Sequence, residues 1–523
     1  MKELKENLAV LETYKTADTR NKENFPAWRM TDEMRLEQLA MTGTLGHSFY
    51  ASAKETAEEA IDLLERVDAP VLAKAIIRGR QEGFIRTFPI LGLLYLSKKD
   101  TTLFQKAFDQ VILTGNDLGD FIDLTRKTRG FGRAIKRAIC KWLQANTTPY
   151  YAMKYRRALA DAIRISRFRG EDPIYAYILN SYGEVKGLNQ EKLESAYQKY
   201  PELETSRRFL ELLDSDRKHE AATLLLESRL DVDHLTAVYD RFDQEIWTAT
   251  ANRAPVMRLL KYLAKFAREG VDLDPIVERK ITIDNLWKAK VFPFRLYTAY
   301  RAYVEVEPKA RKKTEQEKTV FPVLSAADKL VQVLNDYADQ YDWSDFTKYR
   351  WVIAPDMSGS MSSPLGGGIL RFADVSAMFT AFFNRAPINV KVLPWNTKVL
   401  PYSVPRSDSV ISQMKAITNG VGGGTRMEAP VLEMISKQIM ADCSIFITDS
   451  EEYGSGWFAA WKKYRELNPK AQAFIIRLDS YGSSPIPETE AEQYGVWQIF
   501  GWNDNVIEYM RFVLQQVQGT KNI

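Results

Sequence analysis

Apolar residues recur at intervals of three and four positions between residues 31 and 300, which is the spacing of an amphipathic helix. The pattern is clear in five segments, residues 54–67, 71–81, 103–113, 132–143 and 254–267. Short breaks that carry Gly, Pro, Asn or Asp separate the segments. Many amphipathic helices with short connections, but without a strict sequence period, predict a degenerate helical repeat of stacked antiparallel pairs.

The helical pattern stops at "EPKARKKTEQEK", residues 307–318, which is charged, lacks apolar periodicity and is interpreted as a linker or exposed loop. A further helix is predicted over residues 325–341. Ser325 precedes this helix and Asp328 follows three residues later, which is a capping-box pattern.

After residue 348, short apolar runs alternate with helical segments. Strands are predicted at residues 349–355, 388–395, 443–448, 472–478 and 494–500, and helices at 371–386, 407–417, 426–440 and 505–517. Residues 443–448 and 472–478 are almost wholly apolar, as buried parallel strands usually are. The alternation predicts an α/β fold with a parallel or mostly parallel sheet and helices on both faces.

Composition limits the class of protein. At roughly 100–200 residues per domain, 523 residues predict two to four domains, or one long array plus one domain. Two cysteines exclude a disulfide framework and a four-cysteine zinc site, and three histidines disfavour histidine-based catalysis. We expect a cytoplasmic protein, because the sequence shows neither a signal-peptide core nor the ~18 uninterrupted apolar residues of a membrane span.

Oxygen-bearing side chains alternate at the end of the first apolar run, in "APDMSGSM", residues 354–361. Asp356, Ser358 and Ser360 share one side if the segment stays extended. Ligands of an open α/β sheet bind at the carboxyl ends of its strands. One carboxylate and two hydroxyls suit Mg²⁺ or a similar hard cation rather than zinc or copper. Pro355 lacks a ladder donor, so we expect an irregular end to this strand.

Two later loops reach the same edge. "NGVGGGTRME" (419–428) is glycine-rich, and "FITDSEEYG" (446–454) ends a buried strand. The predicted metal ligands are Asp356, Ser358, Ser360, Thr425 and Asp449. The alternative is that the serines only cap the next segment and the aspartate only ends a strand. A P-loop is excluded, because no lysine precedes the threonine of the glycine-rich loop.

The order D-x-S-x-S, then T, then D resembles the metal-ion-dependent adhesion site of von Willebrand factor A domains, over residues 346–523. The resemblance implies a doubly wound α/β domain in that range. In that family the two serines and the threonine approach the metal, and the aspartates bind it directly or through water. A sixth position is left for water or for an acidic group from a partner.

Positive charge is concentrated in residues 126–169, which hold thirteen basic residues and a single acidic residue, Asp161, in a chain of net charge +4. Such a field attracts polyanions and makes their binding salt-dependent. Nine of the thirteen are arginines, whose planar fork suits phosphate. The predicted RNA-binding residues are Arg126, Lys127, Arg129, Arg133, Lys136, Arg137, Lys154, Arg156, Arg157, Arg164, Arg167 and Arg169. The alternative is a solvated helix face.

Aromatic residues are interleaved with these cations. Trp142, Tyr150, Tyr151, Tyr155 and Phe168 would stack on unpaired bases wherever they are exposed. The same segment therefore favours contact with a nucleic acid through phosphates and, in part, through bases.

Three segments, residues 25–52, 129–143 and 290–300, resemble the TROVE module of Ro proteins. A TROVE module (1–345) followed by a von Willebrand A domain (346–523) is the architecture of the Ro autoantigen family and its bacterial orthologues. That family has a ring of HEAT-like helical repeats closed by the metal-site domain, a central hole for single-stranded 3′ ends of misfolded RNA, and a basic outer surface for Y RNA. Residues 154–156 and 164–167 match its "KYK" and "RLSH" stretches, with Arg167 in place of the histidine.

The resulting hypothesis is a non-catalytic, monomeric Ro-type protein that acts in RNA quality control. Its expected partners are a Y-like non-coding RNA, misfolded RNA ends and, in bacteria, an exoribonuclease, with Mg²⁺ in the A domain and no membrane contact. Two alternatives stay open: a Mg²⁺-dependent nuclease at Asp356 and Asp449, and a protein-binding adhesion module whose basic face serves an acidic protein.

Overall fold

The computed structural model describes residues 16–42, 53–180, 190–228, 230, 232–235, 242–306, 325–365, 368–451, 456–479, 481–501 and 505–519. The charged stretch at 307–318 lies outside these ranges. The chain divides into two compact units. One comprises residues 1–88, 292–294 and 331–523, and the other comprises residues 89–291 and 295–330. No helix in the described part of the chain is both long and apolar enough to cross a bilayer.

Helices make up almost all of the described chain from residue 32 to residue 304, as predicted. In chain order they are α1 Asp32–Thr42, α2 Ala53–Arg66, α3 Ala69–Gln81, α4 Thr87–Lys99, α5 Thr101–Val111, α6 Gly115–Thr128, α7 Arg133–Asn146, α8 Pro149–Lys154, α9 Arg156–Ser166, α10 Ile174–Asn180, α11 Gln190–Lys199, α12 Pro201–Asp214, α13 Lys218–Glu227, α14 Val232–Leu235, α15 Gln244–Arg253, α16 Val256–Arg268, α17 Asp274–Lys280, α18 Ile283–Lys288 and α19 Pro293–Val304. Neighbouring helices pack in pairs, as α9 does on both α6 and α7.

Local sequence signals explain where these helices begin and end. The side chains of Thr114 and Asp117 form a reciprocal capping box at the start of α6. The hydroxyl of Thr148 accepts from the Tyr151 amide at the start of α8. Arg167 ends α9 in the left-handed conformation (φ 57°). The predicted Ser325–Asp328 cap is formed at the start of α20 Ala326–Gln340, where the Asp328 amide donates to the Ser325 hydroxyl at 3.1 Å.

The C-terminal part folds around a five-stranded parallel sheet, which confirms the prediction. Its strands are β3 Arg350–Pro355, β4 Asn389–Val392, β5 Cys443–Thr448, β6 Gln472–Arg477 and β8 Val496–Phe500, and its helices are α21 Phe372–Arg385, α22 Val410–Thr418, α23 Ala429–Ser436, α24 Trp457–Leu467, α25 Glu488–Ala491 and α26 Asn505–Gly519. The spatial order is β4-β3-β5-β6-β8. From β3 the chain moves outward to β4 and then returns past β3 to β5, so its direction across the sheet reverses after β4. Right-handed crossovers then place helices on both faces, with a switch point between β3 and β5.

The strand β3 runs regularly through its proline, so the expected irregular end is wrong. Pro355 pairs with Ile447 of β5, and its carbonyl accepts from the Trp395 amide at 3.1 Å. The next amide, that of Asp356, donates to the Ile447 carbonyl at 2.9 Å. The missing N–H of Pro355 would point towards β4, which ends at Val392, so the ladder to β5 loses no donor.

A second, three-stranded sheet was not predicted. It consists of β1 Thr19–Arg20, β2 Pro26–Arg29 and β7 Ser483–Ser484, in the order β1-β2-β7, with antiparallel pairing. This sheet joins the beginning of the chain to the segment between β6 and β8. Trp28 of β2 is buried in the same hydrophobic core as β3, β5 and β6.

Candidate functional site

Two aspartates lie at the switch point of the parallel sheet. Asp356 follows β3 and Asp449 follows β5, and these strands are direct neighbours. Asp356 and Asp449 are 0% and 1% exposed. The crevice at the carboxyl ends of the strands on either side of a switch point is the usual ligand site of such a sheet. The fold therefore places these two predicted metal ligands at the edge that the sequence indicated.

The two serines reach the site through a turn rather than through an extended segment. The Asp356 carboxylate accepts from the Ser358 amide at 2.8 Å, and a 3₁₀ turn follows at Gly359–Ser362. The hydroxyl oxygens of Ser358 and Ser360 are 3.2 Å apart, and both residues are buried. The segment thus does not stay extended, and it is the turn that groups the three oxygen-bearing side chains.

The glycine-rich loop is fixed to this turn by backbone hydrogen bonds. The Gly359 amide donates to the Gly423 carbonyl at 2.9 Å, and the Gly422 amide donates to the Met357 carbonyl at 2.8 Å. A side chain at residue 423 would be strained, because its φ is 80°. Thr425 follows two residues later and is 3% exposed. The loop thereby carries the predicted threonine to the edge that holds the serines.

The segment after β5 brings the second carboxylate into the same site. The Thr448 hydroxyl donates to the Asp356 carboxylate at 2.6 Å and accepts from the Ser450 amide at 2.9 Å. Ser450 adopts a left-handed conformation with φ 59°, which is strained for a residue with a side chain. One carboxylate oxygen of Asp449, Oδ2, is buried and has no hydrogen-bond partner among the described residues.

Burial makes both negative charges costly. It raises the pKa of Asp356 to about 6, although hydrogen bonds from Thr448 and Ser358 favour the charged form. Burial also raises the pKa of Asp449 to about 8, and the nearby charge of Asp356 adds to this effect. Two buried carboxylates that repel each other, one of them with an unpartnered oxygen, are the arrangement that a bound cation would relieve.

Two more buried carboxylates and two buried arginines lie beside this pair, and none of the four is among the predicted metal ligands. Glu451 is 0% and Asp479 is 2% exposed, while Arg477 of β6 is 0% and Arg35 of α1 is 6% exposed. Arg477 donates to Asp479 at 3.3 Å. The signal that could have found this group is an arginine inside the apolar run "QAFIIRL", since buried charges are rarely left without partners.

The donor set is compatible with a hard cation only if hydroxyl groups take part. Among the described residues, no three His, Cys, Asp or Glu side chains are arranged to hold a metal by themselves. The serines and the threonine would therefore have to supply oxygens beside the two aspartates. Oxygen ligands of this kind suit Mg²⁺.

The predicted RNA-binding cations lie on neighbouring helices of the other compact unit, mainly on α6, α7 and α9. On α7 the buried side chains are Ile135, Ala138, Ile139, Trp142 and Leu143, so the intervening cations face away from the core. Seven side chains make neither a hydrogen bond nor an ion pair with any residue that the structure describes. These unpaired cations are Lys127, Arg133, Lys136, Arg137, Arg157, Arg167 and Arg169.

The other predicted cations are engaged by protein groups. Arg126 pairs with Asp123 at 2.9 Å and Arg164 approaches Asp161 at 4.0 Å. Arg129 donates to the Ser97 hydroxyl at 2.7 Å. Some of the compensating carboxylates therefore come from outside residues 126–169, and a local charge count along the sequence does not detect them.

Arg156 and Lys154 are held most firmly. The Arg156 guanidinium donates to the Tyr177 carbonyl at 2.8 Å and lies 3.9 Å from the centre of the Tyr177 ring. Lys154 pairs with Asp233 of α14 at 2.8 Å, and its side chain is 19% exposed. We infer that these two cations serve the packing of α8, α9 and their neighbours more than they serve a ligand.

Asp233 is the centre of a cationic cluster. It accepts from Arg258 at 2.6 Å, from the Tyr262 hydroxyl at 2.9 Å and from Lys261 at 3.4 Å, in addition to Lys154. Burial would raise the pKa of Asp233, but the hydrogen bonds from Arg258, Lys154 and Tyr262 outweigh burial and hold the pKa well below its ordinary value.

The interleaved aromatic residues are largely used inside the protein. Trp142 is 1% exposed and donates to the Ile112 carbonyl at 2.7 Å. Tyr155 is buried, and Tyr151 stacks on Trp142 with its hydroxyl bonded to the Leu113 carbonyl. Trp142 and Tyr155 are therefore not available as a stacking surface for bases. Tyr150, Tyr151 and Phe168 are half-buried, and the Phe168 ring meets Tyr175 edge-on.

Together, the serine turn, the threonine loop and the paired aspartates at the switch point define a von Willebrand A domain, which here follows an extended helical region. A family model described as the Ro60 vWA domain matches residues 350–512.

The similarity extends beyond that domain. The RNA-binding protein RO60 of Deinococcus radiodurans is 22% identical to this chain over 454 residues, covering 82% of each protein. The crystal structure of the Deinococcus radiodurans RO (RSR) protein aligns with a TM-score of 0.63 at 18% identity, covering 93% of this chain and 100% of that chain. The resemblance to the Ro family is confirmed: the chain is a Ro-like protein with bacterial relatives.

Proposed function

We propose that this chain is a non-catalytic RNA-binding protein of the Ro type, and that the unpaired cations on α6, α7 and α9 and directly after α9 hold the phosphates of a small structured RNA. The observation that carries the proposal is the set of seven cationic side chains that no described residue engages. Surface cations without protein partners are free to replace the counterions of a phosphate backbone. The relatives named RNA-binding protein RO60 and RO (RSR) protein support the same assignment.

The chemistry of these cations favours recognition of the RNA backbone. Trp142 and Tyr155 are buried and the other interleaved rings are half-buried, so the fully exposed groups of the region are mainly guanidinium and ammonium groups. Phosphate contacts give affinity and position but read little sequence. We therefore propose a folded, Y-like non-coding RNA as the ligand here, recognised mainly by the spacing of its phosphates.

The Ro resemblance supports the remaining parts of the proposal. A second ligand would be the single-stranded 3′ end of a misfolded RNA, taken up in the hole of a monomeric ring. The physiological role would be RNA quality control in the cytoplasm, in company with an exoribonuclease.

The A domain is proposed to hold Mg²⁺ or a similar divalent cation at Asp356, Ser358, Ser360, Thr425 and Asp449. Four buried carboxylates lie in this region, against two buried arginines, Arg477 and Arg35. Arg35 already pairs with Glu59 at 2.8 Å, so the buried carboxyl groups outnumber the cations that are left for them, and a divalent cation would favour their charged forms. Such a cation would supply positive charge and an open position for an acidic group of a partner. A two-metal nuclease needs more carboxylates at the metal than these two aspartates, which supports a non-catalytic role.

Crosslinking tests the proposal directly. The full chain would be irradiated with co-purified RNA, the crosslinked peptides identified and the bound RNA sequenced. We expect crosslinks to concentrate in residues 126–169 and the RNA to consist of small structured species that stay intact in Mg²⁺. Crosslinks confined to other segments, or RNA cleavage that Asp356→Ala abolishes, would contradict the proposal.

A further inference from the structure

The N-terminal hairpin, residues 19–29, lies against the A domain in the same compact unit. Its two strands pair through Thr19 with Ala27 and Arg20 with Pro26. A tight turn joins them, in which the Asn24 amide donates to the Asn21 carbonyl at 3.0 Å. The second strand continues onto β7, where Trp28 pairs with Ser484. The hairpin is thus an added part of the A domain.

A tryptophan anchors this hairpin. Trp28 is 6% exposed and its ring meets Phe458 of α24 edge-on, with centroids 5.9 Å apart. It belongs to the core cluster that contains Val352 of β3 and Phe446 of β5. Burying an aromatic side chain of this size contributes several kilocalories per mole to stability. The position of the hairpin relative to the sheet is therefore well fixed.

The turn of the hairpin reaches the buried carboxylate beside the candidate metal site. The Lys22 amide donates to Glu451 Oε2 at 2.6 Å, and the Ser483 hydroxyl donates to Glu451 Oε1 at 3.3 Å. Glu451 is 0% exposed, so the hairpin and β7 together satisfy both of its carboxylate oxygens. Only the strained Ser450 separates Glu451 from Asp449.

We propose that the hairpin positions the candidate metal site: the Lys22 amide fixes Glu451, which in turn holds Asp449 in the orientation that a divalent cation requires. Lys22 and Glu451 are positioning residues and do not contact the cation. The inference rests on the proposed metal binding. By linkage, a cation that binds the ordered 449–451 segment also stabilises the docked hairpin, and the coupling is reciprocal.

One substitution removes this contact and leaves the turn intact. Lys22 is the second residue of the Asn21–Asn24 turn, a position that favours proline. Lys22→Pro deletes the amide that donates to Glu451 and keeps the backbone suited to the turn. Lys22→Ala is the matched control, because it changes the same side chain and retains the amide. Ser483→Ala removes the other hydrogen bond to Glu451 and leaves the hairpin sequence and the backbone pairing of residue 483 with Arg29 unchanged.

The experiment measures Mg²⁺ affinity of the metal-free full chain by titration calorimetry, and hydrogen exchange of residues 449–451 in EDTA. We expect Lys22→Pro to weaken Mg²⁺ binding roughly tenfold, within the usual range of coupling between sites, and to speed exchange in that segment. Ser483→Ala should act in the same direction, and Lys22→Ala should match the wild type. If Lys22→Pro does not fold, Ser483→Ala carries the test.

The outcomes separate the two proposals. Unchanged affinity and unchanged exchange in Lys22→Pro and Ser483→Ala, with Mg²⁺ bound by the wild type, would overturn the positioning role and leave metal binding intact. Absence of Mg²⁺ binding by the wild type would overturn both proposals.

Discussion

The ammonium group of Lys154 lies 2.8 Å from the carboxylate of Asp233, a residue 79 positions further along the chain. The same carboxylate accepts from Arg258 and Tyr262. Through Asp233, this contact joins α8 to α14 and α16. The sequence presents Lys154 as one of a run of RNA-binding cations, but in the fold its side chain links these helices to one another.

Replacing Asp233 with asparagine should destabilise the helical region by roughly 2–4 kcal/mol at pH 7, because it leaves two half-buried cations without their carboxylate. The folded-state pKa of Asp233 lies below its ordinary value of 3.8. Its stabilisation is therefore complete above that value and is lost as the pH falls through the lower, folded-state pKa. In urea unfolding, the difference in the free energy of unfolding between the wild type and Asp233→Asn should be constant near neutral pH and should decrease below about pH 4. If this difference in the free energy of unfolding stayed the same at the lowest pH, the charge of Asp233 would not be the source of the stabilisation.

Adjacent arginines offer a matched pair. Arg157 is exposed and has no partner among the described residues, whereas Arg156 is bonded to the Tyr177 carbonyl and lies against the Tyr177 ring. Arg157→Gln should reduce the salt slope of RNA binding by about 1 and leave the melting temperature unchanged. Arg156→Gln should lower the melting temperature and change the slope less. Equal effects of both variants on the slope would show that engaged and unpaired cations contribute alike.

Trp28→Ala should lower the local stability of the A domain by about 3–5 kcal/mol, which is the usual cost of removing a large buried aromatic side chain. Hydrogen exchange of the amides in β5 and β6 reports this stability directly. Trp287→Ala is the control, because Trp287 is 42% exposed. Protection of β5 and β6 that survives Trp28→Ala would mean that the hairpin is dispensable for the A domain.

Whether Asp449→Asn or the wild type has the higher melting temperature should depend on whether the buffer contains Mg²⁺. In EDTA the variant should melt at or above the wild-type temperature, because it removes a buried carboxyl group whose pKa is raised by burial and by the nearby charge of Asp356. In millimolar Mg²⁺ the wild type should gain stability by ligand binding and the variant should not. Equal gains in both proteins would place the cation elsewhere.

The sequence predicted the parts of the fold that local patterns determine. Period-3.6 and apolar-run patterns located the helices and all five strands of the parallel sheet, and the position of Asp356 after β3 follows from its place in the chain. It missed the pairing of Trp28 with Ser484, because two- and four-residue strands separated by more than 450 residues carry no local signal. It also missed α24, whose tryptophans and tyrosine did not resemble the apolar pattern of its neighbours.

The partners of the charged side chains were the feature that the sequence predicted least completely. The local count between residues 126 and 169 ignores Asp123 and Asp233, which approach Arg126 and Lys154 only in the folded chain. Similarly, Glu451 and Asp479 join the metal edge through tertiary packing. Local patterns fix the side of a helix or the end of a strand, but the partner of a charge depends on long-range contacts.

We expect the unpaired cations on α6, α7 and α9 and directly after α9 to bind RNA phosphates. The most direct test is the salt dependence of RNA affinity for the wild type and for the variant R133Q/K136Q/R137Q/R157Q, with Lys141→Gln, whose side chain pairs with Asp109, as the control. The slope of log K against log salt should become shallower by about 3 in the quadruple variant, because each lost phosphate contact changes the slope by about 0.7–0.9. In the Lys141→Gln control the slope should stay near the wild-type value. An identical slope in the wild type and the quadruple variant would contradict phosphate binding by these cations.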